Sequence, residues 1–303
     1  MERYTEFVIY LFFLFLGTFL GSRKILPERV WHYLVRILIW FVYPGLLFHS
    51  ITKAYTRDSL LEHMILPVAG FGIMTVGFAF AHLAFYFLPH LTGQKRGTAG
   101  ALMTMGNYIF LPFPIAKLLW GDSAGFAVLL ASLGSDLGVW TIGVSFFRRK
   151  TFSFGQVLNP PLVALFLAIL VVYNRIPMAK DIITIKTIYG TVGQLTVPIA
   201  MLYLGYQLGI TRKPMAHSQT LMPVIIIQLL LTPLVVWGVA LTFNMPLEMF
   251  RVLMLISSMP SAIASVMLAK LYGGDASLAA SGVLATHLVA IITSPLILFL
   301  ALS

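Results

Sequence analysis

Long apolar runs, repeated along the whole chain, are the feature that most constrains what this sequence can fold into. Hydrophobic residues make up 59% of the 303 residues and charged residues only 10%, whereas soluble globular domains are about 45–50% apolar and about 25% charged. A helix that crosses a bilayer needs about 20 mostly apolar residues. Because helices satisfy their own backbone hydrogen bonds in lipid, the runs predict an all-α integral membrane protein and exclude a soluble fold.

Cutting the chain at charge clusters and at Pro, Gly and Asn turns predicts ten transmembrane helices. They cover residues 5–21, 29–51, 65–88, 97–119, 123–147, 160–174, 186–209, 219–243, 247–270 and 276–301. The connections between these spans are short, so no soluble domain is expected between them. The sixth span is the shortest of the ten.

The net charge of +10 reflects membrane topology rather than a nucleic-acid partner, because Lys and Arg fall in the short gaps between apolar runs. One set of alternate loops holds eleven basic residues, including the cluster Arg148-Arg149-Lys150, and the opposite set holds eight. Basic residues are enriched in cytoplasmic loops. This bias predicts a multi-pass protein of the cell membrane with both termini outside.

A short internal repeat indicates that the chain consists of two related halves. The segment Ala116–Asp122 recurs as Ala269–Asp275, at an offset of 153, with five of seven positions identical. We therefore divide the chain into residues 1–150 and 151–303, with five spans each. Because five is odd, the second half is expected to be inverted relative to the first, as in many secondary transporters.

Prolines near the middle of spans 4 and 9 predict broken helices, because proline lacks the N–H that an α-helix needs. Asn107 plus the offset of 153 is Pro260, so the two breaks are expected to superpose. Helix ends within the membrane suit ions, with N-termini favouring anions and free carbonyls favouring cations. The predicted substrate-binding residues are Asn107, Pro112, Pro114, Ser258, Pro260, Ser261 and, in span 7, Gln207. The alternative interpretations are simple proline kinks and, for Gln207, a bond to a neighbouring helix.

Two ionisable residues within the spans are candidates for ion coupling. Asp136 lies in the middle of span 5, and His287 lies in span 10 at the nearly repeat-related offset of 151. Ionisable residues inside membrane spans are expensive and usually functional, so a His–Asp couple that carries a proton is one prediction. A second is a Na⁺ site formed by Asp136, Ser132 and unwound carbonyls. The alternative is that Asp136 and His287 only bind neighbouring helices.

Several motifs resemble the auxin efflux carrier family, in particular its bacterial branch, and more distantly the bile acid–sodium symporter fold. Span 4 carries Gly106-Asn107-x-x-Phe110-Leu111-x-x-Pro114, and span 7 carries Val197–Gly205. Spans 9 and 10 carry Met259–Ala262, followed by Tyr272-Gly273, Asp275, Thr286 and Pro295. The resemblance extends over essentially the whole chain.

The resemblance implies a ten-helix fold in which spans 4 and 9 cross at their breaks. Spans 3–5 and 8–10 would form a transport domain, and spans 1, 2, 6 and 7 a scaffold that forms a homodimer. It also implies elevator-like transport of organic anions such as malonate, malate or indole-acetate. Two residues depart from the family pattern: Pro112 replaces a small residue, and His287 replaces an apolar one.

Taken together, the sequence predicts a secondary active transporter of small carboxylate anions that works by alternating access and is proton-coupled or potential-driven. It carries no Gly-Lys-Ser/Thr phosphate loop, so ATP is not expected as the energy source. No enzyme activity, cofactor or metal site is expected. The rival hypotheses are a sodium-coupled symporter of the same fold and a receptor that binds the anion without moving it.

Overall fold

The protein is helical throughout the residues that its structure, a computed structural model, describes: 2–147, 159–177, 180–211 and 218–302. In these ranges no residue belongs to a β-strand. The helices are α1 Glu2–Ser22, α2 Glu28–Ala54, α3 Arg57–His63, α4 Ile65–Phe87, α5 Gly93–Thr104, α6 Pro112–Trp120, α7 Asp122–Gly143, α8 Pro160–Tyr173, α9 Lys180–Gly193, α10 Thr196–Ile210, α11 Gln219–Thr242, α12 Leu247–Ser257, α13 Ala264–Tyr272 and α14 Ala276–Leu302.

Six segments in the described part of the chain are long and apolar enough to cross a membrane. They are Glu28–Ala54, Arg57–Phe87, Asp122–Gly143, Thr187–Ile210, Gln219–Thr242 and Ala276–Leu302. Val8–Ser22 and Pro160–Tyr173 are shorter apolar helices, and predicted spans 4 and 9 are each divided into two short helices. The all-helical, multi-pass prediction is confirmed. The count of ten spans and the inverted repeat stay predictions, and the cluster Arg148-Arg149-Lys150 lies outside the described residues.

The recurring heptapeptide has similar local structure in both halves. In each it forms the end of a short helix, a glycine turn and the start of a long helix. Gly121 ends α6 with φ of 94° and Gly273 ends α13 with φ of 74°, a region that side chains other than glycine rarely adopt. The long helices α7 and α14 begin directly after these turns.

Helix packing forms two groups. In the first group, α1 packs along α10, and α2 packs against α8 and α9; in the second, α4 packs along α7, and α14 contacts α5, α11, α12 and α13. Fewer contacts join α2 to α7 and α1 to α6 across the groups. The largest buried core extends through both groups.

Helices α1 and α10 approach so closely that glycines form their interface. Gly17 and Gly21 lie against the backbone of α10, and Gly205 and Gly209 lie against the backbone of α1. Both pairs have the Gly-x-x-x-Gly spacing that lets membrane helices pack at short distance. Contacts advance in the same direction along both helices, so α1 and α10 run parallel.

The close approach predicts that Gly205→Ala destabilises the protein. An added Cβ would overlap the carbonyl oxygen of Leu14, which belongs to the backbone of α1 and cannot rotate away. Overpacking of this kind costs about 1–3 kcal/mol. We expect a lower melting temperature in detergent, whereas the control Gly238→Ala, whose Cβ would have no neighbour within 4 Å, should melt like the wild type. Equal melting temperatures for both variants would contradict this packing.

Candidate functional site

The two helix breaks contact each other in the interior of the protein. Residues 105–111 separate α5 from α6, and residues 258–263 separate α12 from α13. The unwound segments run antiparallel: the N–H of Asn107 donates to the carbonyl of Pro260 at 2.7 Å, and the N–H of Ala262 donates to the carbonyl of Met105 at 2.7 Å. Each break therefore satisfies backbone groups of the other, which is the condition for unwound backbone at membrane depth.

Pro112 and Pro114 lie after the break rather than within it. Pro112 is the first residue of α6 and Pro114 follows in the same turn, and both are buried. Proline is tolerated in the first turn of a helix because the N–H groups there have no helical partner. Two of the first three residues of α6 consequently have no N–H to offer to an anion, and neither proline lines a cavity at the crossing.

The two serines near Pro260 connect the second break to α5 and α14 by hydrogen bonds. The Ser261 hydroxyl donates to the carbonyl of Leu102 at 2.8 Å, and the Ser261 N–H donates to the Thr286 hydroxyl at 3.2 Å. The carbonyl of Ser258 accepts from the Ser294 hydroxyl at 2.7 Å. Both serine side chains are fully buried. Their hydrogen bonds hold the unwound backbone in place.

A cavity of about 170 Å³, called here the crossing cavity, lies beside the two breaks. It is bounded by α2, α7, α13, both unwound segments and the start of α8. Two of the predicted site residues line it, Asn107 and Asp136. Asn107 is only 4% exposed, and both its Nδ2 and the Oδ2 of Asp136 are buried without a hydrogen-bond partner. Two residues that each carry a buried, unpaired polar atom therefore line the same cavity.

The helix end at the crossing cavity is the start of α13. Ala264, the first residue of this helix, lines the cavity together with Ile263. The first turn of an α-helix carries a partial positive charge, although the N–H groups of Ser265 and Val266 here already donate to the carbonyls of Ala262 and Ile263. No Lys or Arg is among the lining residues. The electrostatic environment of the cavity is thus set by backbone dipoles, by the neutral polar side chains of the lining, among them the amides of Asn107 and Asn159, and by one carboxyl group.

Comparison with known protein families identifies the class of this chain. A family model described as membrane transport protein matches residues 4–153 and 145–298. The chain belongs to this family. The resemblance to auxin efflux carriers is thereby confirmed.

Two archaeal relatives of this membrane transport protein have similar lengths. An uncharacterized transporter of Methanocaldococcus jannaschii is 26% identical over 289 residues, covering 92% of both chains. An uncharacterized transporter of Methanothermobacter thermautotrophicus is 25% identical over 289 residues, covering 93% of this chain and 92% of its own. Family and relatives indicate a membrane transporter rather than an enzyme.

The remaining predicted site residues of this membrane transport protein lie around the crossing cavity rather than in it. The Ser132 hydroxyl donates to the carbonyl of Leu129 at 2.6 Å and lies 3.3 Å from the phenol oxygen of Tyr43. Gln207 donates to the Tyr203 hydroxyl at 2.6 Å and lines a neighbouring cavity. Ser132 therefore lies behind Tyr43, which lines the crossing cavity. Gln207 belongs to the neighbouring cavity.

His287 and Asp136 are not joined by a hydrogen bond. His287 is buried in α14, where its Nδ1 lies 2.8 Å from the carbonyl of Val283. Its Nε2 and the Oδ2 of Asp136 each lack a partner. The two side chains thus form no direct hydrogen bond, and their part in ion coupling stays a prediction.

Two residues at the crossing were not predicted. Tyr43 lines the cavity, and Gln228 donates from its Nε2 to the carbonyl of Met259 at 3.1 Å. Gln228 lies in a π-helical turn of α11, residues Ile227–Leu231, and such turns are frequent at functional sites. Gln228 could have been found in the sequence because it is a polar residue within an apolar span. Tyr43 could have been found because it precedes Pro44, which the repeat pairs with Pro198.

Proposed function

We propose that this membrane transport protein is a secondary active transporter of small carboxylate anions that works by alternating access. The observation that carries the proposal is the unpaired amide nitrogen of Asn107, a residue that lines a small cavity beside two broken helices. A buried polar group without a partner costs about 1–3 kcal/mol. A substrate carboxylate that accepts from Nδ2 would remove this cost.

The anion is held by neutral donors and backbone dipoles in this proposal. Asn107 donates from one side, and the first turn of α13 stabilises the negative charge from the other. The absence of Lys and Arg from the cavity lining makes binding weak enough to be reversible. The start of α6 contributes less, because Pro112 and Pro114 lack N–H groups.

Asp136 couples binding of the anion to uptake of a proton. Its carboxyl and the substrate share a cavity of about 170 Å³. At about 6 Å and an effective dielectric constant of about 20, two unit charges repel by about 3 kcal/mol. The anion therefore binds well only when Asp136 is protonated, so that substrate and proton are carried together. In the rival mechanism, Asp136 and Ser132 bind Na⁺, although Ser132 does not line the crossing cavity.

Alternating access arises from movement between the two packing groups. The group of α4–α7 and α11–α14 is the transport domain, and the group of α1, α2 and α8–α10 is the scaffold, through which two copies form a homodimer. In the ten-span inverted repeat, with both termini outside the cell membrane, each group contains equivalent spans from both halves of the chain. The glycine turns at Gly121 and Gly273 and the parallel packing of α1 and α10 support this arrangement.

Transport into proteoliposomes tests the proposal. Uptake of radiolabelled malonate is measured under an imposed pH gradient without Na⁺, followed by a panel of malate, benzoate and indole-acetate. We expect accumulation of at least one carboxylate that collapses on addition of a protonophore. Accumulation that requires Na⁺ and persists without a pH gradient would support the sodium symporter instead. Saturable binding of a panel member with no flux in sealed vesicles would support the receptor and contradict the proposal.

A further inference from the structure

A second cavity, called here the basic vestibule, adjoins the crossing cavity. Its volume is about 520 Å³, and it lies between α2, α10 and α13 at the face of the protein where α2 begins. Four residues line both cavities: Ile39, Trp140, Asn159 and Met267. The vestibule is therefore a path between this face of the membrane and the proposed substrate site.

Among the described residues that line the basic vestibule, the Lys, Arg and His side chains have no acidic counterpart. These residues are His32, Arg36 and Lys270, and no carboxylate is among the lining residues. Arg36 is exposed and forms no ion pair with a described residue. Its guanidinium is thus available to an anion that enters the vestibule.

Two other cavities of the described residues carry different charges. One, at the end of α2, is lined by Arg57, Arg175 and Asp58. The other lies between the starts of α4 and α12 and is lined by Glu62, Glu248 and His63. The basic vestibule differs from both, because each of these cavities is lined by at least one carboxylate, and a cavity lined by basic groups without a carboxylate attracts anions.

Glu28 keeps Lys270 paired in the structure. The Lys270 Nζ lies 2.9 Å from the Oε1 of Glu28, and both side chains are about half exposed. Glu28, His32, Arg36 and Trp40 recur every four residues, so they form one stripe along α2. Along this stripe the carboxylate of Glu28 comes first, at the start of α2. The basic side chains of His32 and Arg36 follow, and Trp40, next to Ile39, comes last.

We infer that the basic vestibule is a capture site for the carboxylate substrate, in which Arg36 binds the carboxylate and Lys270 exchanges Glu28 for it. A guanidinium matches a carboxylate with two parallel hydrogen bonds. The inference rests on the proposed function and extends it. Charged groups of the vestibule bind the carboxylate first, and neutral donors bind it afterwards in the crossing cavity. From the vestibule the anion moves past Trp140 and Met267 to Asn107.

Side-specific kinetics of Arg36→Gln test the inference. The probe is radiolabelled malonate or, if malonate is not carried, the panel carboxylate with the fastest uptake. The chain contains no cysteine, so a single cysteine in place of the exposed Ile25 reports the orientation of the protein in each vesicle preparation. With substrate on the vestibule side, we expect Arg36→Gln to raise KM about tenfold and to change kcat less than twofold.

The controls separate capture from a general structural effect. For substrate presented on the opposite side, KM should change less than twofold and kcat should fall about tenfold in Arg36→Gln, because a substitution cannot alter the ratio of kcat/KM between the two directions. Arg29→Gln removes the same charge from an exposed position on the same helix that does not line the vestibule, and its KM should equal that of the wild type. An unchanged KM on the vestibule side, or an equal increase on both sides, would overturn the inference.

A spectroscopic measurement keeps the inference testable if no panel carboxylate is transported. In a variant that retains Trp140 as its single tryptophan, the fluorescence is quenched by iodide, an anion, or by neutral acrylamide. We expect Arg36→Gln to reduce iodide quenching at least twofold and to leave acrylamide quenching unchanged. If iodide quenching is also unchanged, the vestibule does not concentrate anions and the inference fails, independently of the transport assay.

Discussion

Asn107→Ala is expected to weaken carboxylate binding about 10- to 100-fold and to leave the protein folded. A hydrogen bond to a charged group contributes about 1.5–3 kcal/mol, which corresponds to this range of affinity. The substitution removes only the side-chain donor. The backbone bond from Asn107 to Pro260 at 2.7 Å, which joins the two breaks, does not require the side chain and is retained.

Uptake kinetics and thermal unfolding of the same preparations check this prediction. KM for the transported carboxylate should rise in Asn107→Ala, and the melting temperature should stay close to that of the wild type. Asn174→Ala serves as a matched control, because Asn174 is exposed at the end of α8 and bonds only within its own helix. A wild-type KM in Asn107→Ala would place the substrate elsewhere in the protein.

The sequence was most informative about the position of the helix breaks. Proline kinks or breaks a helix interior, and Pro112 and Pro260 located both breaks to within a few residues, whereas Pro295 lies inside the continuous helix α14. The repeat aligned the two breaks with each other. Their contact could be expected for the same reason, since unwound backbone in a membrane needs protein partners. The direction of that contact, antiparallel between residues 105–107 and 260–262, required the structure.

The roles of individual side chains were less predictable. Ser258 and Ser261 as substrate ligands stay a prediction. The Ser261 hydroxyl donates to Leu102, its N–H donates to Thr286, and the backbone carbonyl of Ser258 accepts from Ser294, so both residues also hold the unwound segment in place. A serine next to a break is expected both as a ligand and as a backbone partner, and sequence spacing does not distinguish the two. Gln207 is a similar case, because its amide donates to Tyr203 and its side chain lines the basic vestibule rather than the crossing cavity.

The glycines at the interface of α1 and α10 could be recognised in the sequence only if the two helices were already known to pack together. Gly17 and Gly21 in α1 have the same spacing as Gly205 and Gly209 in α10, but the chain separates them by more than 180 residues. Glycine is common in membrane helices, so each pair alone does not predict a partner. The structure shows that the four glycines face one another.

Asp136→Asn is expected to abolish proton-driven accumulation and to preserve exchange of the carboxylate. Asparagine has the shape of a protonated aspartate and carries no charge, so the cavity stays in the form that accepts the anion at every pH. Without a group that gains and loses a proton, a pH gradient no longer drives uphill transport. Counterflow of labelled against unlabelled carboxylate needs no proton and should continue.

The pH dependence of binding follows with a definite sign. In the wild type the anion favours the protonated form of Asp136, so affinity rises as the pH falls, by about tenfold per pH unit where one proton is bound with each anion. At high pH an ionised Asp136 repels the anion by about 3 kcal/mol, or about a hundredfold in affinity. Asp136→Asn should bind at all pH values with the affinity that the wild type reaches at low pH.

Equilibrium binding and uptake of the transported carboxylate, measured between pH 5 and pH 9, check both parts of this prediction. Asp58→Asn is the matched control, because Asp58 is 80% exposed outside the crossing cavity and should leave the pH slope unchanged. Retention of the slope and of proton-driven accumulation in Asp136→Asn would exclude this carboxyl as the coupling group. Wild-type accumulation that depends on Na⁺ at constant pH, and that loses this dependence in Asp136→Asn, would show that the same residue couples transport to sodium. The ionised carboxylate would then bind Na⁺, because a buried charge needs a partner that neutralises it.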